Sequence, residues 1–262
     1  MSNKDLDAQW LKLLGLREDG RRMREHRTVD VNVGCARSVH VDGSCELRMG
    51  LTQVTAHVIG PREAPRRSDE AHDMGSLEVN VTVAPSAPIG ARSQGSRERA
   101  GRELAGNVKR ALSGALMLER YPRSQIAIEL HVSVDDGGVL SCCCNAASVA
   151  LVDAGIFLND VTASCSVAFY LGQLVVDPTR NETRQTSSLD VTVLPSFGTV
   201  TFFKINGEAL PFDDIEKLLE AAVAAASSVG ERLADDMRDH VADKVDVLDQ
   251  SAAATRAEGA QL

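Results

Sequence analysis

With 262 residues, 44% of them apolar but only 3% aromatic, the chain can bury a sizeable core, and that core must be aliphatic. A formal net charge of -9 is the wrong sign for a free-standing nucleic-acid binder. No run approaches the ~18 uncharged apolar residues of a membrane helix, and the polar start MSNKDLDAQW lacks an apolar signal region, so the expected location is the cytosol or nucleus.

Residues 1–26 read as an N-terminal arm, 27–249 as a single domain, and 250–262 as an Ala-rich, polar, disordered tail. Val29, Val31 and Val33 alternate with polar residues and open a β-meander, which continues through Cys45–Met49 and Leu51–Ile59. Gly60-Pro61 is expected to end that last strand and open a basic loop. Leu77, Val79, Val81 and Val83 mark the next strand, and 85–101 reads as a Pro-, Gly-, Ser- and Arg-containing loop. Leu104, Val108, Leu112 and Leu116 share one face of a helix expected over Glu103–Arg120, closed by Pro122. Val161–Val176 gives strand segments broken at Leu171-Gly172, Asp177–Ser188 a polar loop, and Leu189–Val193 another strand. Thr199–Ile205 with Asn206-Gly207 reads as a hairpin, and Ile215–Leu233 as a long amphipathic helix. This order predicts an α+β domain with helices on a mixed sheet.

The stretch from Tyr121 to Asp153 organises the chain. Ile126, Ile128, Leu130, Val132 and Val134 alternate with Ala127, Glu129, His131 and Ser133, the pattern of a half-buried strand. Asp135-Asp136-Gly137-Gly138 stops it, and a small, apolar helix follows over Ser141–Asp153, with Gly155 as its C-cap. A strand, a Gly turn and a helix N-terminus can hold a phosphate, because free backbone N–H groups converge there. Cys142, Cys143 and Cys144 point about 100° apart on a helix and cannot converge on one ion. Cys35, Cys45 and Cys165 lack the close spacing of a zinc site, so all six read as small buried packing residues, with no metal and no cofactor.

Seven short motifs then recur in order: Arg17-x-Asp-Gly-Arg21, Asp42-Gly-Ser44, Gly60-Pro-Arg-Glu63, Tyr121-Pro-Arg-Ser124, Asp136-Gly-Gly138, Asn145-Ala-Ala147 and Leu151-Val-Asp-Ala-Gly155. Together they resemble the RNase PH family and, within it, ring subunits of the RNA exosome related to the catalytic archaeal subunit. The resemblance covers roughly Arg17 to Ala242. It implies the RNase PH fold (ribosomal protein S5 domain 2-like). It also implies assembly with other RNase PH-type subunits in a hexameric ring that threads single-stranded RNA. S1/KH-type cap subunits and associated 3′-5′ exoribonucleases would be further partners, in nucleus, nucleolus and cytoplasm.

Active members of that family cleave RNA from its 3′ end with inorganic phosphate, which needs a held phosphate, cationic groups and a carboxylate near the leaving oxygen. Compared with their pattern, Gly138 is followed by Val139, Leu140 and Ser141, so two of three phosphate contacts are aliphatic. At the acid site Glu182 is kept but Thr183 replaces an Asp, and Asp190 matches the second Asp only if the loop has gained one residue. Thr cannot supply a charged metal ligand or a usable acid. Glu182 and Asp190 are therefore expected on a solvated loop and a strand edge, and the turn is expected to be closed over by apolar residues. Arg66, Arg67 and Ser68 match a loop that faces the pore neck in exosome rings, and Arg99 matches the first of two basic residues ahead of the helix, with Arg97 and Arg102 nearby. These residues are the candidate RNA-backbone contacts. The implied function is a non-catalytic ring subunit. The alternative is a phosphate-dependent 3′-5′ exoribonuclease active with its ring partner.

Overall fold

The computed structural model describes residues 16–259, apart from 18, 37–38, 64–72, 88–92, 171, 185 and 208–210. Among the described residues, nine strands form two sheets. The first holds β1 (Val29–Val33), β2 (Gly43–Met49), β3 (Thr52–Glu63), β4 (Ser76–Val83) and β5 (Ser124–Val134), in the order β1-β2-β3-β5-β4. Only its β4–β5 pair is parallel, and α1 (Gln94–Ser113) supplies the crossover that a parallel pair requires. The second holds β6 (Ala163–Tyr170), β7 (Gln173–Val176), β8 (Ser188–Leu194) and β9 (Thr199–Asn206), in the order β7-β6-β8-β9, all antiparallel. The α+β class follows from the alternation patterns. The division of the strands between two sheets does not, because it depends on long-range pairing.

Helix α2 (Val139–Asp153) lies between the sheets, packed on β2 and β3 of the first and on β6 of the second. Every residue from Leu140 to Leu151 is buried, which explains a helix of Ala, Cys, Ser, Val and Leu with no polar face. Its few polar side chains bond to the second sheet. The Asn145 amide exchanges two hydrogen bonds with the Ser164 backbone, at 3.0 and 2.7 Å, and the Ser148 hydroxyl accepts the Thr162 N–H at 2.9 Å. The helix ends in a Schellman motif. The Ile156 N–H reaches the Leu151 carbonyl at 3.1 Å and the Gly155 N–H reaches Val152 at 3.0 Å, with Gly155 at φ +70°. Five of the six cysteines are buried as expected, but Cys35 is exposed. Burial pushes the buried thiols up, Cys144 to about 12, so they pack as inert apolar groups.

A one-turn helix, α3 (Arg180–Thr183), follows β7, and a long helix, α4 (Phe212–Gly259), covers β6 and β8 with Leu218, Ala222 and Ala226. The bounds of α4 take in much of the segment read as a disordered tail. Helix α1 is tied to β9 by a Glu103–Lys204 ion pair at 2.6 Å and by Arg110 over the Phe202 ring at 5.5 Å.

Three element boundaries differ from the sequence reading. Strand β3 continues through Pro61 to Glu63, because a register shift between Ile59 and Arg62 removes the need for a proline N–H. Helix α1 begins at Gln94, nine residues before the expected start, capped by Ser93, and ends at Ser113; a separate 3-10 turn covers Leu118–Arg120. The apolar stripe beginning at Leu104 marked only the buried part of α1, since its first two turns are polar. The hairpin joins β8 to β9 through the 195–198 turn, and Asn206-Gly207 lies at the far end of β9.

Gly43 shows how tightly α2 is seated. A Cβ there would lie 2.4 Å from both the Ala150 carbonyl oxygen and the Ala154 nitrogen, which are backbone atoms that cannot yield cheaply. Gly106, on the open side of α1, has nothing within 4 Å. Gly43→Ala should therefore destabilise the fold by about 1–3 kcal/mol, and Gly106→Ala should stabilise it by about 0.5–1 kcal/mol. Denaturant unfolding of both variants checks this; equal effects would contradict the packing described.

Candidate functional site

The turn after β5 is built from both halves of the chain. The Asp135 carboxylate accepts the Gly137 N–H at 2.9 Å and also pairs closely with the Arg180 guanidinium. The Asp136 carbonyl accepts the Arg180 N–H at 2.9 Å. The Thr52 hydroxyl donates to the Gly137 carbonyl at 2.8 Å and accepts the Asp136 N–H at 3.0 Å. Gly137 (φ +98°) and Gly138 (φ +63°) adopt backbone that other residues avoid. A Cβ on Gly137 would sit 2.8 Å from the Pro178 carbonyl oxygen, and one on Gly138 would sit 2.9 Å from the Arg27 guanidinium.

Two buried arginines fix this meeting. Arg27 donates to Asp177 Oδ2 at 2.8 Å and Oδ1 at 2.5 Å, and to the Asp136 and Gly137 carbonyls at 3.1 Å each. Burial opposes the Asp177 charge, but the hydrogen bonds and charge of Arg27 outweigh it and hold the carboxyl below its ordinary range. Arg17 makes a bidentate bond to Glu182, at 2.9 and 2.5 Å, and donates to the Val176 carbonyl at 2.7 Å. The latter part of the expected N-terminal arm is thus bonded into the second sheet.

Beside the turn opens a cavity of about 310 Å³. Gly138, Val139 and Leu140 form one wall, Arg180, Thr183 and Arg184 another, and Asp190, Lys204 and Asn206 the third. The first intrahelical bond of α2 runs from the Cys142 N–H to the Gly138 carbonyl, so the N–H groups of Val139, Leu140 and Ser141 precede the ladder. Asp190 is 7% exposed and accepts a 2.7 Å bond from the Asn206 amide. Burial raises its pKa; hydrogen bonds from Ser166 and Asn206 and the Lys204 charge only partly offset this. Of the three cations, Arg180 is paired with Asp135 and Lys204 with Glu103. Arg184 is exposed and has no ion-pair partner among the described residues.

The structure therefore brings Gly138, Val139 and Leu140 of the degenerate phosphate turn and Thr183 and Asp190 of the degenerate acid site together around one cavity, which Glu182 does not line. It also corrects three expectations. The turn is not closed over, because Val139 and Leu140 line an open cavity. Glu182 is not on a solvated loop; it is 2% exposed, held by Arg17 and by the Thr179 N–H at 2.7 Å in a capping box. Asp190 is not on a strand edge, since β8 lies between β6 and β9. Ser141 stands behind the cavity, its hydroxyl accepting from Ser164 at 3.2 Å in a buried network. Arg97, Arg99 and Arg102 lie within α1, not ahead of it. Leu104 also lines the cavity; seven residues before it, Arg97 shares its stripe, about 10 Å along the axis from the cavity, whereas Arg99 and Arg102 lie on other faces. Arg66, Arg67 and Ser68 fall outside the described residues. Sequence reasoning misses Arg180, Arg184 and Lys204: the charge of the two arginines within the acid loop is a signal, but Lys204 arrives only as the cross-strand partner of Asp190.

Two sheets clasping a small-residue helix, with a Gly turn at the mouth of a cavity between the halves, match a known architecture along most of the chain. Residues 25–157 match the model of the 3′ exoribonuclease family, domain 1, and residues 160–225 that of domain 2. The chain belongs to this family, the RNase PH family. It is homologous to exosome Rrp41-type subunits. It is 32% identical over 221 residues to the Arabidopsis thaliana exosome complex component RRP41 homolog (84% of this chain, 90% of the relative). To the Homo sapiens exosome complex component RRP41 it is 30% identical over 229 residues (87% and 92%). Among solved structures it resembles an Archaeoglobus fulgidus exosome with RNA bound to the active site (TM-score 0.74, 24% identity, covering 87% and 96%), a likeness of fold. It also resembles rice Rrp46 (TM-score 0.70, 25% identity, covering 85% and 98%).

The raised pKa of Asp190 has a sign that can be measured. The fold binds this proton more tightly than the unfolded chain, so ionisation costs stability as pH rises from the ordinary value of 3.8, and the cost is constant above the folded-state value. Asn cannot ionise and can still accept from Asn206. Asp190→Asn should raise the unfolding midpoint at pH 7, with the gain shrinking as pH falls toward 4. A loss at pH 7 would show that the carboxylate is fully paired.

Proposed function

We propose that this chain is a non-catalytic structural subunit of an RNA exosome hexameric ring. It pairs there with other RNase PH-type subunits and helps form a pore that threads single-stranded RNA to associated 3′-5′ exoribonucleases. S1/KH-type cap subunits are the further partners of this reading, and nucleus, nucleolus and cytoplasm are its location. One observation carries it. At the cavity mouth the residues after Gly138 are Val139 and Leu140, the Ser141 hydroxyl bonds elsewhere, and two of the three lining cations are already neutralised within the chain. A phosphate entering there would meet backbone N–H groups and one free guanidinium. Phosphorolysis needs that anion held in line and its developing charge stabilised by cations. The relatives named as exosome components, similar over most of their length, support membership of a ring.

A second reading is a phosphate-dependent 3′-5′ exoribonuclease, active with its ring partner. It is favoured by the open cavity and by Asp190, whose raised pKa suits a general acid.

The chain co-assembled with an RNase PH-type partner, given single-stranded RNA and inorganic phosphate, should release no nucleoside diphosphates above a buffer control. Diphosphate release that Asp190→Asn abolishes would establish the second reading instead. Reversing charge at Arg66 and Arg67 (Arg66→Glu, Arg67→Glu) should weaken RNA protection by the full assembly while leaving ring formation intact. Unchanged protection would remove those residues from the RNA path.

A further inference from the structure

At the opposite end of β5 from the cavity, an exposed aromatic ring is stacked against arginine. Phe157, just beyond the C-terminus of α2, is 52% exposed, an unusual position for a large apolar ring. The Arg120 guanidinium lies 4.6 Å from its centroid. Tyr121 flanks it, with ring centroids 6.2 Å apart and tilted by 32°, and the Tyr121 hydroxyl accepts the Phe157 N–H at 3.0 Å. The Phe157 carbonyl in turn accepts the Met117 N–H at 3.2 Å. The ring is thus held in place from its backbone, but much of it is left open. Arg123, exposed and at φ +58°, stands two residues from Tyr121. Neither Arg120 nor Arg123 has an ion-pair partner among the described residues, although Glu119 is exposed close by.

We infer that Phe157, Arg120 and Arg123 form a single-stranded RNA contact, with a nucleobase stacked on the open part of Phe157 and the arginines on neighbouring phosphates. The chemistry is that of sequence-blind RNA binding: an aromatic face for any base and unpaired guanidinium groups for the backbone or for stacking. A protein partner would be served by a broader apolar patch with fewer unpaired charges around it. The position fits as well. Glu63, where the chain leaves β3, pairs with Ser124, and the Gly75 N–H bonds to the Leu118 carbonyl at 2.8 Å, so both ends of the intervening segment are anchored beside this cluster. Helix α2 begins at the cavity and ends just short of Phe157, so its 15 residues set the cluster and the cavity about 22 Å or more apart, a distance a threaded RNA would cover in several nucleotides. The inference rests on the RNA-threading reading above.

The test uses the full chain co-assembled with its RNase PH-type partner and a 5′-fluorescein-labelled oligouridine of twenty nucleotides, read by anisotropy across a salt series. Phe157→Ala should weaken binding about 10-fold, and Phe157→Trp should restore it. Arg120→Ala with Arg123→Ala should lower the slope of log K against log[salt] by about 0.7 per lost phosphate contact. Thermal unfolding and size-exclusion profiles should match the parent, because these side chains are exposed. RNA binding by the parent assembly that none of these variants alters would overturn the inference and leave the ring assignment standing. Loss of assembly with RNA affinity unchanged would make the patch a protein contact, which also overturns it. A parent assembly that binds no RNA would overturn both readings.

Discussion

The structure depends on one buried charge pair. Arg27 enters from the strand-leading segment of the first sheet and closes on Asp177 at the end of β7 in the second. Its remaining donors go to the Asp136 and Gly137 carbonyls, so a single guanidinium satisfies the turn and joins the two halves. Taking two charges out of water is costly unless geometry and extra hydrogen bonds compensate. Here both Asp177 oxygens accept from Arg27, which also gives its own N–H at 3.1 Å. The Arg17–Glu182 pair repeats the device, its carboxylate five residues beyond Asp177 in the one-turn helix α3. The cavity between these halves is shaped by the two clasps.

The second constraint is the thickness available between the sheets. A helix touching β2 and β3 on one side and β6 on the other has no solvent face, so it can carry only small or apolar side chains and polar ones with fixed partners. Ala146, Ala147 and Ala150 meet the space requirement, and Asn145 and Ser148 meet the bonding requirement of the β6 edge. The three consecutive cysteines are explained in the same way, as side chains smaller than valine on three different sides of a fully enclosed helix.

Local pattern made much of this legible. Alternation located the strands, and the small-residue run located α2. What stayed hidden was set by distant partners. Nothing local in Arg17 or Glu182 announces a pair 165 residues apart, and a charged residue in a polar stretch is ordinarily exposed. The same prior put Asp190 on an edge, although the all-buried pattern of β8 comes from cover on both faces that only the tertiary fold supplies. Polar first turns hid the start of α1, because periodicity reports burial and not helicity.

The glycine turn bears on how the motif should be read. Gly137 has to lack a side chain because the Pro178–Arg180 backbone passes within 3 Å of where its Cβ would be, and Gly138 because Arg27 fills that space. Both demands come from joining the two sheets and would remain if no anion ever entered the cavity. Keeping Asp136-Gly-Gly138 is therefore required by the fold, and it carries no information about phosphate chemistry. The residues free to report on chemistry are those facing the cavity without a structural duty. Val139 is the clearest of these, half-buried at the cavity, and backbone geometry would accept a hydroxyl or a guanidinium there, whereas Leu140 lines the cavity and also packs into the core. Scaffold and reactive groups share one turn but answer to different constraints, so the turn can be retained while its chemistry changes.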